Sequence, residues 1–513
     1  MDGDLMDGDA HARRHAPARR RRHQGRATAV GLVLLALLTA ACSDTSFEDE
    51  VRAATGEPTF VAPAPTTRAA VFARGSDPEQ PTDTIVVAAP SGSPLHEIAI
   101  DPALVRLRQT ASTQHVLVLR RTVEATSTSV AVLDVLAGTL TDVDLPPGDW
   151  EAIRLLGTPT IHPGTLSVLI DEEARSIAIV NVTSGIFTIV NDVPDADAAA
   201  QSDAAPPALR IAPVGDAGLL TLPDGARIVS AVGTTRRLSG PQDEFTFVRW
   251  LGDGRGLEYV RTSPGEQGIL HAEPLVGTAA ARVRVGAIDA SLPSTSGLVL
   301  VQNRTMYVVG RDGARELHTG DGPFVLPVAV DAAGSRVLVF DGAGGGFRND
   351  LVDLASGDTR TVSLPAGANP APATIGGSVV WFASADGIQP VVALDLVAGT
   401  ATQTYAPEPD QGVDPTLLRP SPTGAHALAR VGTSLTALAL RVVLLDATGA
   451  EAVELAQGRN ADGEFSADGL HVLVTWDPVE NPIDRLGRVA VYDVGTGTLT
   501  DLGPGHEAIW VGA

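Results

Sequence analysis

The chain has 513 residues, of which 44% are hydrophobic and 19% are charged, a globular composition with ample material for a large core. Its formal net charge is −24, and such a negative field repels nucleic acid phosphates and anionic lipid surfaces, which argues against a nucleic acid partner. The single cysteine excludes an intramolecular disulfide.

The N-terminal segment has the composition of an export signal. Residues 1–26 contain seven Arg, and residues 27–41 are the apolar stretch ATAVGLVLLALLTAA. These fifteen residues are too few to cross a bilayer comfortably and match the hydrophobic region of a signal peptide. We therefore expect residues 1–41 to be a signal peptide, with a short uncleaved signal anchor as the alternative.

The end of that stretch carries a short motif around the cysteine, formed by Leu38, Thr39, Ala40, Ala41 and Cys42. The motif resembles a bacterial lipobox, although Thr39 stands where Leu is commoner. The resemblance implies that Cys42 is lipidated on sulfur, with acyl chains such as palmitate, and becomes the N-terminus of a lipoprotein. Such a protein is anchored to the membrane outside the cytoplasm. An incidental or buried cysteine is the alternative.

Residues 42–68 separate the lipidation site from the rest of the chain. They are acidic at first and then rich in Pro, Ala and Thr, without a helix or strand period, so they predict a flexible tether. By resemblance to enterobacterial lipoproteins, Ser43 favours the periplasmic side of the outer membrane in an envelope with two membranes. Beyond residue 42 the chain has 57 acidic residues and 30 Arg, a formal net charge of −27. Membrane attachment is therefore expected to depend on the lipid.

A sequence repeat occupies residues 69–513, which we expect to form the folded domain. Residues 132–145, VLDVLAGTLTDVDL, nearly recur at 488–503 as RVAVYDVGTGTLTDLG. In both copies β-branched residues lead into Asp, a short turn ends in Gly, and a strand of Thr, Leu and Val follows. Asp accepts hydrogen bonds from its own turn, and Gly adopts the positive φ of a hairpin loop. Each copy therefore predicts a β-hairpin.

Turn glycines of this kind recur with a mean spacing of 45 residues. They are Gly92, Gly138, Gly185, Gly233, Gly277, Gly313, Gly357, Gly399, Gly449 and Gly497. Upstream of the hairpins lies a second Gly-centred turn followed by a nearly continuous apolar run, as at residues 421–431 and 466–476. Such runs are typical of strands covered on both faces. Each period therefore predicts the four short strands of a β-propeller blade.

The turn patterns S-P-x-G and x-x-D-G resemble the WD40-like repeats of bacterial TolB-type propellers over residues 69–513. We expect an all-β fold, a β-propeller of seven to ten four-stranded blades of about 45 residues each. Residues 506–513 form an extra C-terminal strand, which we expect to join the N-terminal blade and close the ring. Because four to eight blades are typical, two smaller propellers are the alternative.

Sequence motifs for catalysis are missing. The pattern G-x-S-x-G of a hydrolase nucleophile turn does not occur, and the lone cysteine is assigned to the anchor. The eight histidines after residue 42 form no close pair and are interpreted as residues of loops or strand ends: His96, His115, His162, His271, His318, His426, His471 and His506. We predict no catalytic residue, no metal ligand and no cofactor, although propeller loops can assemble a composite site from distant residues.

Three arginines fall on or beside the strands predicted to line the propeller channel: Arg154, Arg249 and Arg419. A guanidinium there can bind an anionic ligand, but the excess of acidic residues favours structural ion pairs. Residues 341–350, DGAGGGFRND, are interpreted as a flexible loop, because no helix follows to form a phosphate site.

Two classes of function remain. We expect a non-enzymatic lipoprotein whose propeller is a platform for protein partners or ligands in the cell envelope, as the TolB-like resemblance implies. The alternative is a propeller hydrolase or lyase, for instance a lactonase-like enzyme with a metal in the central channel. Because the sequence contains no local cluster of His and acidic residues, it favours the platform.

Overall fold

The computed structural model describes residues 67–512 with internal gaps, and these residues contain strands but no helix. The gaps are residues 76–78, 123–126, 157–163, 172–174, 192–206, 253, 267–268, 276–280, 284–288, 295–296, 311–312, 343–347, 366–372, 384–387, 409–410, 415–417, 434–435 and 479–486. In the described part of the chain, no helix is long and apolar enough to cross a membrane. Cys42, the predicted signal peptide and most of the predicted tether lie outside the described residues.

The strands are numbered in chain order. The first eleven are β1 (Thr67–Arg74), β2 (Thr82–Ala88), β3 (Pro94–Gln109), β4 (His115–Arg121), β5 (Ser129–Asp134), β6 (Thr139–Val143), β7 (Glu151–Ala152), β8 (Arg154–Leu155), β9 (Leu166–Asp171), β10 (Ser176–Asn181) and β11 (Phe187–Asn191). The next twelve are β12 (Ala208–Ile211), β13 (Ala217–Leu222), β14 (Gly225–Ser230), β15 (Thr235–Arg237), β16 (Glu244–Trp250), β17 (Gly256–Thr262), β18 (Ile269–Pro274), β19 (Ala281–Val283), β20 (Ala290–Ser294), β21 (Gly297–Gln302), β22 (Thr305–Gly310) and β23 (Gly313–Thr319). The last sixteen are β24 (Val325–Val330), β25 (Arg336–Asp341), β26 (Arg348–Asp353), β27 (Thr359–Val362), β28 (Ala373–Gly376), β29 (Val379–Phe382), β30 (Val391–Asp395), β31 (Thr400–Tyr405), β32 (Gly412–Val413), β33 (Arg419–Pro420), β34 (His426–Thr433), β35 (Thr436–Asp446), β36 (Val453–Phe465), β37 (His471–Asp477), β38 (Arg488–Asp493) and β39 (Thr498–Gly512).

These strands form ten small sheets, numbered along the chain, of which sheets 9, 10, 1 and 2 share strands and so make one continuous 14-stranded sheet. Sheet 1 has the order β39-β1-β2-β3, sheet 2 β3-β4-β5-β6, sheet 3 β7-β9-β10-β11, sheet 4 β8-β12-β13-β14-β15 and sheet 5 β16 to β19. Sheets 6, 7 and 8 are β20 to β23, β24 to β27 and β28 to β31, sheet 9 joins β32 and β33 to β34-β35-β36, and sheet 10 is β36-β37-β38-β39. The long strands β3, β36 and β39 each end one sheet and begin another. Among the described strands, only β8 and β12 pair in parallel.

The hairpin turns have the predicted chemistry. Asp134 Oδ1 accepts hydrogen bonds from the backbone N–H groups of Leu136 and Ala137 at 2.9 and 3.0 Å. Gly138 has φ 64°, and its N–H donates to the Asp134 carbonyl oxygen. Related aspartate turns occur at Asp353, Asp395 and Asp493. The predicted hairpin is therefore confirmed as the connection between the third and fourth strands of a sheet.

The second predicted turn connects the first and second strands of a sheet. The hydroxyl oxygen of the buried Ser421 accepts the backbone N–H of His426 at 3.2 Å. Gly424 has φ 78°, and a Cβ at this position would lie 2.0 Å from the Gly376 carbonyl oxygen of sheet 8. Glycine is needed here for the turn and for the close approach of the neighbouring sheet.

Middle strands are buried on both faces because sheets pack face to face. Four consecutive residues are buried in β4 and in β5, whereas the outer strand β6 exposes three of its five. Apolar clusters join sheets 1 and 2, 2 and 3, 3 and 4, 4 and 5, 6 and 7, 7 and 8, 8 and 9, 9 and 10, and 10 and 1. Sheets 5 and 6 meet through β16 and β20. Burial between sheets is therefore the main stabilising interaction of this β-propeller-like all-β fold.

The C-terminal part of β39 is the first strand of sheet 1. Ala70 lies opposite Trp510, and Val71 lies opposite Ile509, in antiparallel register. Trp510 is buried in an apolar cluster that contains Phe72 of sheet 1 and residues of sheet 10. The strand therefore connects the last sheet of the chain to the first.

Candidate functional site

One cavity is lined by strands from both ends of the chain. Its volume is about 530 Å³. The lining residues lie on or beside β3, β7, β8, β33, β36 and β39, which are edge strands of sheets 2, 3, 4, 9, 10 and 1. Leu107 and Ile509, near opposite ends of the folded part, both contribute. We call this space the channel cavity.

Two arginines of the channel cavity are bound to acidic side chains. Arg419 Nη1 lies 3.1 Å from Asp462 Oδ1 and donates a hydrogen bond to the Gly463 carbonyl oxygen at 2.7 Å. Arg108 Nη1 donates to Glu507 Oε2 at 2.9 Å. Both pairs join sheets that are adjacent around the cavity, so their first role is to hold the cavity wall in place.

Glu464 is an acidic residue of the cavity whose charge is disfavoured. Burial raises the pKa of the Glu464 carboxyl above its usual range, against the opposing effects of a hydrogen bond from Gln109 and the charge of Arg419. The Gln109 amide nitrogen donates to Glu464 Oε1 at 3.1 Å. A carboxyl with a raised pKa in a cavity is a candidate for binding a ligand or exchanging a proton.

The three arginines predicted to line the channel differ in their partners. Arg249 is buried with Glu258, to which it donates from Nε at 2.6 Å and from Nη2 at 3.1 Å, and it does not line the channel cavity. Structural pairing is therefore confirmed for Arg249, as it is for Arg419. Arg154 lines the cavity on β8 and is exposed, and its side chain has no hydrogen bond or ion pair with a described residue.

Three of the histidines share one arrangement. Each begins the second strand of a sheet and lies opposite the aspartate that ends the third strand. The distance from His Nε2 to the carboxylate is 4.0 Å for His115 and Asp134, 3.4 Å for His426 and Asp446, and 3.9 Å for His471 and Asp493. Because the pair recurs in sheets 2, 9 and 10, it is a feature of the repeat and does not mark one site. His162 lies outside the described residues.

In sheet 2 this pair extends to a serine. Ser112 Oγ lies 2.7 Å from His115 Nδ1, which gives the order of groups found in a hydrolase triad. However, Ser112 is 4% exposed, and its Oγ also accepts the backbone N–H of Gln114. The 4.0 Å separation of His115 and Asp134 is too long for a hydrogen bond. A buried hydroxyl engaged by its own turn is not presented to a substrate, so the arrangement is structural.

The sequence did not reveal a group of metal-ligand side chains between sheets 6 and 7. His318, Asp341 and Asp350 place one ligand atom each within 4.8 Å of one another. Arg348 donates to Asp350 at 2.6 Å and to Asp341 at 3.0 Å, so a guanidinium already occupies both buried carboxylates. Residues 341–350, interpreted from the sequence as a flexible loop, include the end of β25 at Asp341 and the start of β26 at residues 348–350, and this pairing of strands brings the ion-pair partners together. No sequence signal pointed to His318 of the preceding sheet.

Comparison with known proteins finds structural likeness without sequence relatives. No protein-family model and no curated protein matches the chain. A eukaryotic initiation factor aligns with 86% of this chain and 98% of its own at 11% identity and a TM-score of 0.43. The dihydro-heme d1 dehydrogenase NirN aligns with 95% of this chain and 86% of its own at 13% identity and a TM-score of 0.35. Dipeptidyl peptidase 4 of Porphyromonas gingivalis aligns over 84% and 59%, at 13% identity and a TM-score of 0.36.

Proposed function

We propose that the chain is an extracytoplasmic lipoprotein, processed and lipidated at Cys42, whose ten sheets form one closed β-propeller that binds partners of the cell envelope. The supporting observation is the channel cavity, which is lined by the first strand of each of six sheets. In a propeller the first strand of each blade faces the central channel, so this convergence is expected of that fold.

The order of packing supports one ring rather than two. Each sheet packs on the next along the chain, and the cluster around Trp510 joins sheet 10 to sheet 1. The long strands β36, β39 and β3 run from the outer edge of one sheet to the inner edge of the following one. Such a ring leaves no open interface between first and last blades.

The charged groups of the channel cavity, apart from Glu464 with its raised pKa, and those of the His318 group between sheets 6 and 7 support binding over catalysis. Arg419 and Arg108 are held by acidic partners, and the His318 group lies between two sheets with its carboxylates bound by Arg348. Arg154 remains as an exposed cation in the cavity. An exposed guanidinium can pair with an acidic group of a partner, whereas a lactonase-like enzyme needs a metal held by converging ligands.

The anchor is tested by Cys42→Ala with Ser43→Ala as the matched control. The wild type and the control should incorporate a labelled fatty acid and sediment with membranes, because both keep the cysteine that carries the acyl chains. Stable anchoring needs more than one such chain. Cys42→Ala should lose the label and remain unprocessed or soluble. Equal labelling of Cys42→Ala and the wild type would refute lipidation at this residue.

The platform is tested by placing a photo-crosslinking residue at Arg154 in cells. The control carries the same group at Arg74, which is exposed in an ion pair with Glu97 and does not line the cavity. We expect a defined envelope protein to be crosslinked from position 154 and not from position 74. Identical crosslinking patterns from both positions would contradict a binding role for the channel cavity.

The hydrolase or lyase alternative has its own measurement. The purified protein should contain no stoichiometric divalent metal when analysed by inductively coupled plasma mass spectrometry. About one tightly bound ion per chain that is lost in Asp462→Asn or Glu464→Gln, two acidic residues of the channel cavity, would favour the enzyme over the platform. Because metal content and crosslinking are independent, the two results separate the proposals.

A further inference from the structure

A second cavity lies between sheets 4 and 5. Its volume is about 580 Å³, within the range of small-molecule sites. Its lining comes from β8, β12, β13 and β14 of sheet 4 and from β16 of sheet 5 with the preceding loop. Apolar groups form much of the wall: Leu156, Leu222, Pro223, Pro241, Phe245 and Phe247.

Arg210 on β12 places a partly buried cation in this cavity. Its guanidinium carbon lies 5.0 Å from the centre of the Phe247 ring. Phe247 also contacts Trp250 in a tilted arrangement, with 5.2 Å between ring centres and 57° between ring planes, so the ring beneath Arg210 is supported by a second aromatic side chain. Burial lowers the pKa of Arg210.

Arg210 has no acidic partner among the described residues, although acidic side chains greatly outnumber basic ones in this chain. Arg249, on the adjacent β16, is fully paired with Glu258 by contrast. A half-buried charge without a counterion is costly to maintain for stability alone. Its open hydrogen-bond donors are therefore the part of the cavity most suited to an anion.

The other charged groups of the cavity fit this interpretation. Arg154 reaches it from β8 and is likewise unpaired among the described residues. Asp243 is already satisfied, since its carboxylate accepts hydrogen bonds from the Gly240 N–H and the Ser263 hydroxyl at 2.8 Å each. Glu244 is exposed on β16, where water screens its charge.

We propose that the cavity between sheets 4 and 5 binds a small carboxylate with a flat apolar body, with the carboxylate on Arg210 and Arg154 and the body against Phe247. Neither the lipid anchor nor closure of the ring is needed for this site, because all of its residues belong to two adjacent sheets. Arg154 lines both cavities, but Arg210 lines only the cavity between sheets 4 and 5, so variants of Arg210 separate the two sites.

The test is calorimetric titration of the purified full-length protein in detergent with 2-naphthoate, compared with the neutral 2-naphthamide. We expect saturable binding of one naphthoate per chain, and at least tenfold weaker binding of the amide, which corresponds to about 1.4 kcal/mol. Arg210→Gln should weaken naphthoate binding at least tenfold, and Arg210→Lys should retain part of the affinity because it keeps the charge. Arg74→Gln is the surface control and should bind as the wild type does.

Circular dichroism of each variant verifies that the fold is intact. Equal affinity for naphthoate and naphthamide, or equal affinity of Arg210→Gln and wild type, would overturn the proposal, as would the lack of saturation up to about 1 mM probe. Inorganic phosphate is the second probe. Phosphate binding as tight as naphthoate binding would also refute the assignment, since the apolar wall would then contribute nothing.

Discussion

Trp510 attaches the C-terminal strand to both sheet 1 and sheet 10. It is 5% exposed and packs between Phe72 of sheet 1 and Leu473 of sheet 10. Its indole Nε1 donates to the Glu464 carbonyl oxygen at 2.9 Å. Trp510→Ala removes the apolar contact and the hydrogen bond together, and leaves a cavity where the last and first sheets meet.

The expected cost of Trp510→Ala is about 3–5 kcal/mol of unfolding free energy, the range for removing a buried aromatic ring. Of this, about 1 kcal/mol belongs to the hydrogen bond, so Trp510→Phe should cost about 1–2 kcal/mol. Leu499→Ala is the matched control on the same strand. Leu499 is 44% exposed, and its truncation should cost about 1 kcal/mol or less.

Equilibrium unfolding in urea, followed by circular dichroism, measures these differences. The four proteins should rank wild type, Leu499→Ala, Trp510→Phe and Trp510→Ala in decreasing stability. A loss below about 1 kcal/mol for Trp510→Ala would show that the packing of this ring between sheets 10 and 1 contributes little to stability. A cost for Leu499→Ala as large as that for Trp510→Ala would show that the strand pairing matters more than the buried ring.

Three further predictions follow from the same structure. Deleting residues 507–513 should cause aggregation, because sheet 1 loses its first strand and exposes backbone groups, while an equal deletion within 43–68 should leave the melting temperature unchanged. Burial raises the pKa of the Glu464 carboxyl, so the folded state is favoured when this carboxyl is protonated, and stability falls as pH rises from the unfolded-state pKa through the folded-state pKa. In Glu464→Gln the melting temperature should vary less with pH across that window and should be higher than in the wild type at neutral pH. Hydrogen bonds from the Ser356 and Ala355 N–H groups lower the pKa of Asp353. The stabilisation by this carboxylate is therefore present above the unfolded-state pKa and is lost as pH falls. Asp353→Ala should lower the free energy of unfolding by about 1 kcal/mol at pH 7, and truncation of the exposed Asp358 to Ala should lower it much less.

Local chemistry explains why the strand pattern was predictable. A turn such as that from Asp134 to Gly138 is stabilised by its own side chain and backbone, so five neighbouring residues contain the information. The apolar runs were equally informative, because a strand covered by sheets on both faces cannot alternate. The described hairpins thus follow one another along the chain in the order of the sequence repeat.

The contents of the cavities were not predictable in the same way. Arg154, Arg249 and Arg419 occupy similar positions in the repeat, and the sequence gives no reason to separate them. Arg249 and Arg419 have different kinds of ion-pair partner: Glu258 is the cross-strand neighbour of Arg249, whereas Arg419 pairs with Asp462 from the next sheet. The first contact follows from hairpin register, but the second depends on how two sheets pack.

Several basic side chains of this chain form hydrogen bonds with backbone carbonyl oxygens of the following sheet. Such side chains have a structural role and are poor candidates for ligand binding. Arg360 and Arg336 of sheet 7 donate to the carbonyl oxygens of Ala398 and Leu396 in the hairpin turn of sheet 8, at 2.6 and 3.3 Å. Equivalent contacts to the following sheet are made by Arg315 with Leu354, Arg236 with Pro274, and His96 with Leu136. Each of these side chains therefore fastens one sheet to the next.

Arginines that fasten sheets are not available to ligands, because releasing them would leave turn carbonyls without donors. Arg154 and Arg210 stand apart, since neither makes such a contact with the described residues and both line the cavity between sheets 4 and 5. An acidic chain that engages so many of its arginines in its own framework has little reason, for stability, to leave two side chains in one cavity without an ion pair among the described residues. Ligand binding accounts for the placement of these two arginines in the cavity. A ligand-binding role is distinguished from a structural one by naphthoate affinity, which should fall in Arg210→Gln and not in Arg74→Gln.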